Sequence, residues 1–414
     1  MTSPLNVAVI GGGISGIAAA WTLHASGAHV QLFEASDRLG GHTHTHSVPI
    51  AGGHVRVDTG FIVFNELNYP NFSAWLETLG VAWQLSDMSF AVRDDIDALE
   101  YGTTDLAAIF SNVAQLARPS YWRMWWDLLR FYRQLDQGAV ADVTLGEFLR
   151  DQGYSRPFIE SHIAPMCSAL WSQPAHEALR LSLPHVVGFM RNHRMLNISG
   201  RPSWRVLENG SDSYLQPFRD RFSGQIHLAT PIEKVARMPG GVRLNEGEFE
   251  LFDAVIVACH SDQALSMLEQ PTELEASILG AIPYQRNEVV LHSDASFMPS
   301  NRKCWSSWNV VRECDGAYTI TYWMNKLQNL SCSEDFFVTL NPQSTPRETH
   351  WQGAYEHPHF TKASASAQMR WAELGDNAVL YAGAYWHQGF HEDGFVSGVR
   401  AADALLAGQS RRAA

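Results

Sequence analysis

A short apolar run, Val7–Ile10, follows Asn6 and ends in Gly11-Gly12-Gly13-Ile14-Ser15-Gly16. This pattern predicts a buried strand, a tight turn and an alanine-rich helix over about Ile14–His24. A second short strand is expected at His29–Phe33. From about Tyr69 to Gln152 the chain reads as mainly helical, with breaks at Tyr69-Pro70 and Arg118-Pro119. Within it, Trp122, Trp125, Leu129 and Tyr132 recur at helical spacing over Tyr121–Leu135, and Arg123, Asp127 and Arg130 take another face. Strand-like alternation returns at Gln225–Val235 and Gly241–Leu244. Phe252–Cys259 is a β-branched run of the kind buried on both faces in a parallel sheet. Val289–Tyr322 alternates strand-like stretches with aromatics, among them Trp305, Trp308, Tyr318, Tyr322 and the adjoining Trp323. Ala378–Ala382 reads as one more buried strand, followed by a loop and a helix from about Gly394 to Leu406.

The glycine cluster acquires meaning from its neighbours. Gly11 permits the sharp turn, Gly13 the close approach of a pyrophosphate, and Gly16 tight packing of helix on strand. The helix start, with Ser15, points N–H groups and positive dipole at the phosphates. Glu34 ends the second strand 23 positions after Gly11, where a carboxylate holds ribose hydroxyls. These residues form a dinucleotide fingerprint. Arg38-Leu39-Gly40-Gly41-His42 then supplies a fixed fork of donors and a second glycine pair, and Val57-Asp58-Thr59-Gly60-Phe61 opens a further loop. Such a second cradle favours FAD over NAD.

At 414 residues the chain exceeds one comfortable core, so two intertwined domains are expected. The α/β character at both ends predicts a discontinuous Rossmann-like (GR2-type) FAD-binding domain over 1–75, 203–270 and 372–414. An inserted α+β substrate domain takes 76–202 and 271–371. Thirty Lys and Arg against 43 Asp and Glu give a net charge of −13, which argues against a nucleic-acid partner. Five cysteines without a CxxC pair read as reduced thiols in a cytoplasm. A phosphate loop at residue 11 leaves no room for a cleaved leader, and polar residues and glycines within Leu5–Leu23 argue against a membrane span.

Gly11–Gly16, Glu34, Arg38–Gly41, Val57–Gly60 and Tyr381–Asp403 together resemble the flavin-containing amine oxidase superfamily. That superfamily includes monoamine and polyamine oxidases, phytoene-type desaturases, protoporphyrinogen oxidase and fatty-acid isomerases. More narrowly, Tyr381–Trp386, Phe390–Gly394 and Val257–Leu265 are similar to a bacterial subgroup of FAD-binding oxidoreductases. Members of that subgroup are associated with cyclopropane-fatty-acid synthase-like methyltransferases. The resemblance implies that Gly11, Gly13, Ser15 and Gly16 face the pyrophosphate and Glu34 the adenosine ribose. It places Arg38, Gly40, Gly41 and His42 beside the pyrophosphate and ribityl chain, and the Ile232 backbone, in a strand, at adenine. Gly383 and a helix beginning at Asp393-Gly394-Phe395 should meet the phosphates and the flavin. The pattern departs at Ala384, where many relatives carry an acid.

Flavin chemistry asks the protein to orient a C–H bond and exclude water, so an aromatic cavity matters more than a strong acid or base. Tyr385 and Trp386 either wall that cavity or pack the domain junction; His391 either relays a proton or is structural. Lys303 lies near the region where amine oxidases place a lysine, although a solvated role competes. His42, His44 and His46 share one face of an extended segment but follow the FAD loop, so no metal is expected. Cys259 reads as core, and Asn192-His193 between Arg191 and Arg194 as a solvated helix end or an anion site. The Tyr121–Leu135 helix packs within its domain, against a second copy, or on a membrane. The leading expectation is an FAD-dependent oxidoreductase acting on a long apolar, lipid-like small molecule. Amine oxidation with release of peroxide, and non-catalytic lipid or prenyl binding, stand as alternatives.

Overall fold

The computed structural model describes residues 4–136, 138–171, 175–197, 200–376 and 378–413. Five parallel strands form one sheet in the order Gln225–His227, His29–Phe33, Asn6–Ile10, Ala254–Val257, Val379–Tyr381. The central strand is apolar on both faces because both are covered. Val7 and Val9 pack under helix Ile14–Ala25, while Ala8 and Ile10 join Phe33, Val255 and Val257 beneath the other layer. The C-terminal helix, His391–Ala413, lies against Ile14–Ala25. Contact is backbone to backbone: a methyl on Gly398 would run into the carbonyl oxygen of Ser15, and one on Gly16 into that of Gly11.

A second, seven-stranded sheet has the order Thr349–Pro358, Tyr284–His292, Phe337–Leu340, Tyr318–Trp323, Trp308–Arg312, Phe90–Asp94, Leu99–Gly102. Its pairs are antiparallel except Trp308–Arg312 with Phe90–Asp94. The expected helical stretch after Tyr69 is therefore interrupted. Helix Pro70–Leu79 is followed by strands Trp83–Leu85, Phe90–Asp94 and Leu99–Gly102 before helices resume. Phe90 pairs with Trp308, a partner that no local pattern announces.

Helix Pro119–Asp136 corrects the predicted face. Tyr121, Met124, Leu128, Phe131 and Leu135 are buried, whereas Trp122 and Leu129 point outward. The true stripe is rotated by one residue, about 100° of helix, from the tryptophan-led one. Asp127, on the buried side, is held by Arg123 at 3.1 Å, Arg130 at 3.7 Å and the Ser155 N–H at 3.0 Å. The helical layer is tied to the large sheet through Arg312. Its guanidinium donates to the wholly buried carboxylate of Asp94 at 3.1 Å and to Glu160 at 2.6 Å.

Among the described residues no helix is long and apolar enough to cross a membrane. All five cysteines are free thiols.

Candidate active site

A cavity of about 1240 Å³ runs from the glycine turn of the parallel sheet to the large sheet and the helical layer. Eleven sequence-predicted residues line it: Gly11, Gly13, Ser15, Glu34, Gly40, Gly41, His42, Ile232, Gly383, Tyr385 and His391. Gly11 sits at φ +107°, donates its N–H to the Phe33 carbonyl at 2.8 Å, and leaves no room for a side chain against Ala258. The twelve-residue helix Ile14–Ala25 opens from Gly13 with its first-turn N–H groups at this wall. Gly13 and Gly41 lie face to face, so a methyl on Gly41 would come within 3.1 Å of the Gly13 Cα. The result is a backbone-lined cradle that Cβ atoms would fill, and it fits a dinucleotide pyrophosphate.

Glu34 braces this cradle. One carboxylate oxygen accepts from the Gly12 N–H at 2.7 Å, the other from the Ser36 N–H and hydroxyl at 2.8 and 2.9 Å. Three of the roughly four lone-pair sites are thus taken; the one left, on Oε2 of a residue that lines the cavity, can accept from a ribose hydroxyl. Arg38 works from behind: its guanidinium donates to the carbonyls of Thr43 at 2.8 Å and Gly41 at 2.9 Å and does not line the cavity. Ile232 lies in a loop, not the predicted strand. The edge strand stops at His227, and Pro231 cannot donate to a ladder.

The remaining residues expected at the site stand behind it. Gly16 packs on the Gly11 carbonyl, and Gly394 faces Ile14 and Ser15. Phe395 is buried against Trp75, ring centroids 5.4 Å apart. Trp386 is buried in the core beyond the sheet and does not reach the cavity wall; Tyr385 does. The C-terminal helix begins at His391, earlier than read, because Asp393 accepts from the Phe390 and Gln388 N–H groups and fixes its first turn. The two acids that open this helix do not stand in for the one absent at Ala384. Asp393 is so engaged, and Glu392 accepts from the N–H groups of Asn71 and Phe72 at the start of Pro70–Leu79.

His391 stacks on Phe61 (3.8 Å, 10°), and its Nε2 lies 3.2 Å from the Tyr214 hydroxyl, which meets Thr43 Oγ1 at 2.9 Å. Burial holds its pKa down at about 3, so the ring is neutral. His42 is also neutral: burial and the nearby His357 and His260 lower it, and Nε2 meets the Glu356 carbonyl at 3.1 Å. His44 and His46 go separately to Tyr355 and Thr59. The Cys259 thiol lines the cavity but is pushed up to about 12 by burial, so it is a protonated wall rather than a nucleophile.

The other half of the cavity is aromatic. Phe189 stacks on Phe390 (4.9 Å) and on His193 (4.0 Å), while Trp308 meets the edge of Tyr322 at 4.8 Å. Trp171 and Trp204 complete the wall. Among the described residues the buried indole N–H groups of Trp171 and Trp308 meet no hydrogen-bond partner. Most of these residues carry no sequence signal, since they come from separate elements. Of the Asn192 cluster only His193 reaches the cavity; Arg191 and Arg194 are spent on backbone carbonyls. Lys303 is exposed and outside it.

Eight buried or half-buried histidines (His44, His46, His162, His185, His193, His292, His357, His391) have pKa values lowered to about 3 or 4 from 6.5, chiefly by burial. Below pH 6.5 the unfolded chain binds protons that the folded chain refuses. Stability should therefore fall as pH drops from about 6.5 to about 4, by up to about 1.4 kcal/mol per pH unit for each such histidine. Asp58 and Asp393, raised to about 7 and 6, and Glu313, raised by burial, act in the opposite sense but are outnumbered. Urea midpoints at pH 7.5 and 5.5 test this; an equal or higher midpoint at pH 5.5 would refute it.

Known proteins place this geometry. Over 45 residues the chain is 58% identical to flavin-containing amine oxidase B of Bos taurus and 56% identical to that of Homo sapiens. That stretch is 11% of this chain and spans only 9% of either relative. Cyclohexylamine oxidase from Brevibacterium oxydans IH-35A superposes with a TM-score of 0.70 at 17% identity, covering 98% of this chain and 100% of that one. A CLA-producing fatty acid isomerase from P. acnes gives 0.66 at 13%, covering 97% and 98%. Such identities speak for the shared fold. The family model described as flavin containing amine oxidoreductase matches residues 14–325, from the helix that opens the cradle to just past the middle strand of the large sheet. A chain matched over that much of its length belongs to the flavin-containing amine oxidoreductases, enzymes whose cofactor is a flavin.

Proposed function

We propose that the protein binds FAD and dehydrogenates, or shifts a double bond in, a long apolar substrate of the fatty-acyl kind. The observation that carries this reading is the far half of the cavity, where Trp171, Phe189, Trp204, Trp308, Tyr322 and Phe390 leave a largely apolar wall without a lysine. The similarity of Tyr381–Trp386 and Phe390–Gly394 to a bacterial subgroup associated with lipid methyltransferases supports it. FAD, when bound, supplies the hydride acceptor. Glu34 and the Ile232 backbone would hold its adenosine end, and Gly11, Gly13, Ser15, Gly40 and Gly41 its pyrophosphate. The aromatic wall orients the chain of the substrate and excludes water. His391, kept neutral by burial and steadied by the Phe61 ring and the Tyr214–Thr43 pair, closes the wall beside Phe390 without carrying a charge into it.

The test is anaerobic incubation of the yellow protein with long-chain unsaturated acids and, separately, with primary and secondary amines. Acids are expected to bleach the flavin or to return with a moved double bond. Bleaching by amines, with stoichiometric peroxide once air is readmitted and lipids inert throughout, would overturn the reading, and so would a colourless protein that takes up no FAD.

A further inference from the structure

The lip of the cavity is formed partly by Leu85, Thr103 and Thr104, which are exposed and also line it. The Lys326 ammonium donates to Thr104 Oγ1 at 3.0 Å and holds this edge in place. Directly after it, Asp105 caps the short helix Leu106–Ile109, and an apolar strip begins. Leu106 is 71% exposed and Val113 77%, with Phe110 between them. The Phe110 ring lies 6.2 Å from that of Trp122, so the strip continues without a break onto helix Pro119–Asp136. There Trp122, Trp126 and Leu129, one helix face, are each about half exposed. Six of the thirteen exposed large apolar side chains among the described residues thus sit in one strip beside the cavity mouth.

Its charge is unlike that of the rest of the chain. Residues 103–136 carry Arg118, Arg123, Arg130 and Arg133 against Asp105, Asp127 and Asp136, in a protein of net charge −13. Asp127 is buried and neutralised between Arg123 and Arg130, so the stretch is net positive by one charge, with Arg118 and Arg133 against Asp105 and Asp136. Arg123 lies 4.7 Å over the Trp126 ring and Arg130 5.7 Å from it, which places guanidinium groups beside the indole. Tryptophan flanked by arginine suits the boundary between lipid headgroups and acyl chains. A two-fold pairing of two copies through this face would bring the arginines against each other; an anionic leaflet supplies the missing countercharge.

We propose that this strip docks the protein on an anionic membrane surface and lays the cavity mouth against the lipid. The proposal does not depend on which substrate is turned over, because vesicle binding is read without catalysis. Full-length protein is mixed with equimolar phosphatidylglycerol/phosphatidylcholine vesicles and, in parallel, with phosphatidylcholine alone, and then sedimented. Binding is expected on the anionic vesicles, weaker on the neutral ones. The triple variant Trp122→Ser, Trp126→Ser, Leu129→Ser should lose about tenfold or more in partitioning. Arg123→Gln with Arg133→Gln should weaken only the binding to anionic vesicles, by several-fold, as should added salt. Leu106→Ser, on a different helix, should weaken both and serves as a second probe should the triple variant misfold. Absence of binding to either vesicle, or undiminished binding by both apolar variants, would overturn the proposal. So would a dimer in sedimentation velocity that the triple variant abolishes while vesicles are ignored.

Discussion

Gly16→Ala is expected to yield a protein that purifies with little or no flavin. The added methyl would run into the Gly11 carbonyl oxygen, within the turn whose shape the cradle depends on. Helix Ile14–Ala25 cannot retreat, because Ser15 is already in backbone contact with Gly398 of the C-terminal helix. Overpacking of this kind costs about 1–3 kcal/mol in stability. The larger effect falls on binding, because a turn displaced by a few tenths of an ångström misaims the N–H groups it presents. Gly188→Ala is the matched control: that glycine is exposed on helix Leu183–Asn192 with open space where the methyl would go. It should keep its colour and gain up to about 1 kcal/mol. The ratio of flavin to protein absorbance after gel filtration separates the two. A fully yellow Gly16→Ala would refute the packing argument.

Arg312→Met should be the most destabilising single change around the large sheet, at about 3–5 kcal/mol. It removes the cation that serves Asp94 and Glu160 together and leaves the Asp94 carboxylate buried with only the Ser161 hydroxyl and the N–H groups of Ile96 and Asp97. The loss reflects a stranded charge more than the worth of the pair, so adding Asp94→Leu to Arg312→Met should recover part of it. Denaturant unfolding of the two variants checks the order. A double variant less stable than the single one would show that the pair itself, not the stranded charge, dominates.

Local signals carried the cofactor half of the molecule. The turn at Gly11, the helix behind it and Glu34 all lie within one strand–helix–strand unit, where spacing along the chain translates directly into spacing in space. The strand Phe90–Asp94 could not be read in this way, since its partner Trp308–Arg312 lies far along the chain. The same holds for Trp171, Phe189, Trp204 and Trp308, whose convergence on one wall is a product of tertiary assembly. Helix Pro119–Asp136 illustrates a different limit. It is rich enough in apolar residues to offer two plausible stripes, and only its neighbours select the one led by Tyr121 and Met124. At Tyr385-Trp386 the sequence left cavity wall and junction packing both open, and the one-turn helix Ala384–Trp386 gives Tyr385 to the wall and Trp386 to the core.

The order of the parallel sheet has a consequence for how the protein is made. Strand Asn6–Ile10 precedes one of its two partners, Ala254–Val257, by about 240 residues, and that partner in turn precedes its own neighbour, Val379–Tyr381. During vectorial synthesis at roughly 5–20 residues per second, the apolar edge of Asn6–Ile10 therefore waits unpaired while the intervening helices form, and that of Ala254–Val257 while the large sheet is completed. Slower translation, lower growth temperature or a holdase should raise the soluble yield for this reason, whereas flavin supply should matter only once the C-terminal helix has docked.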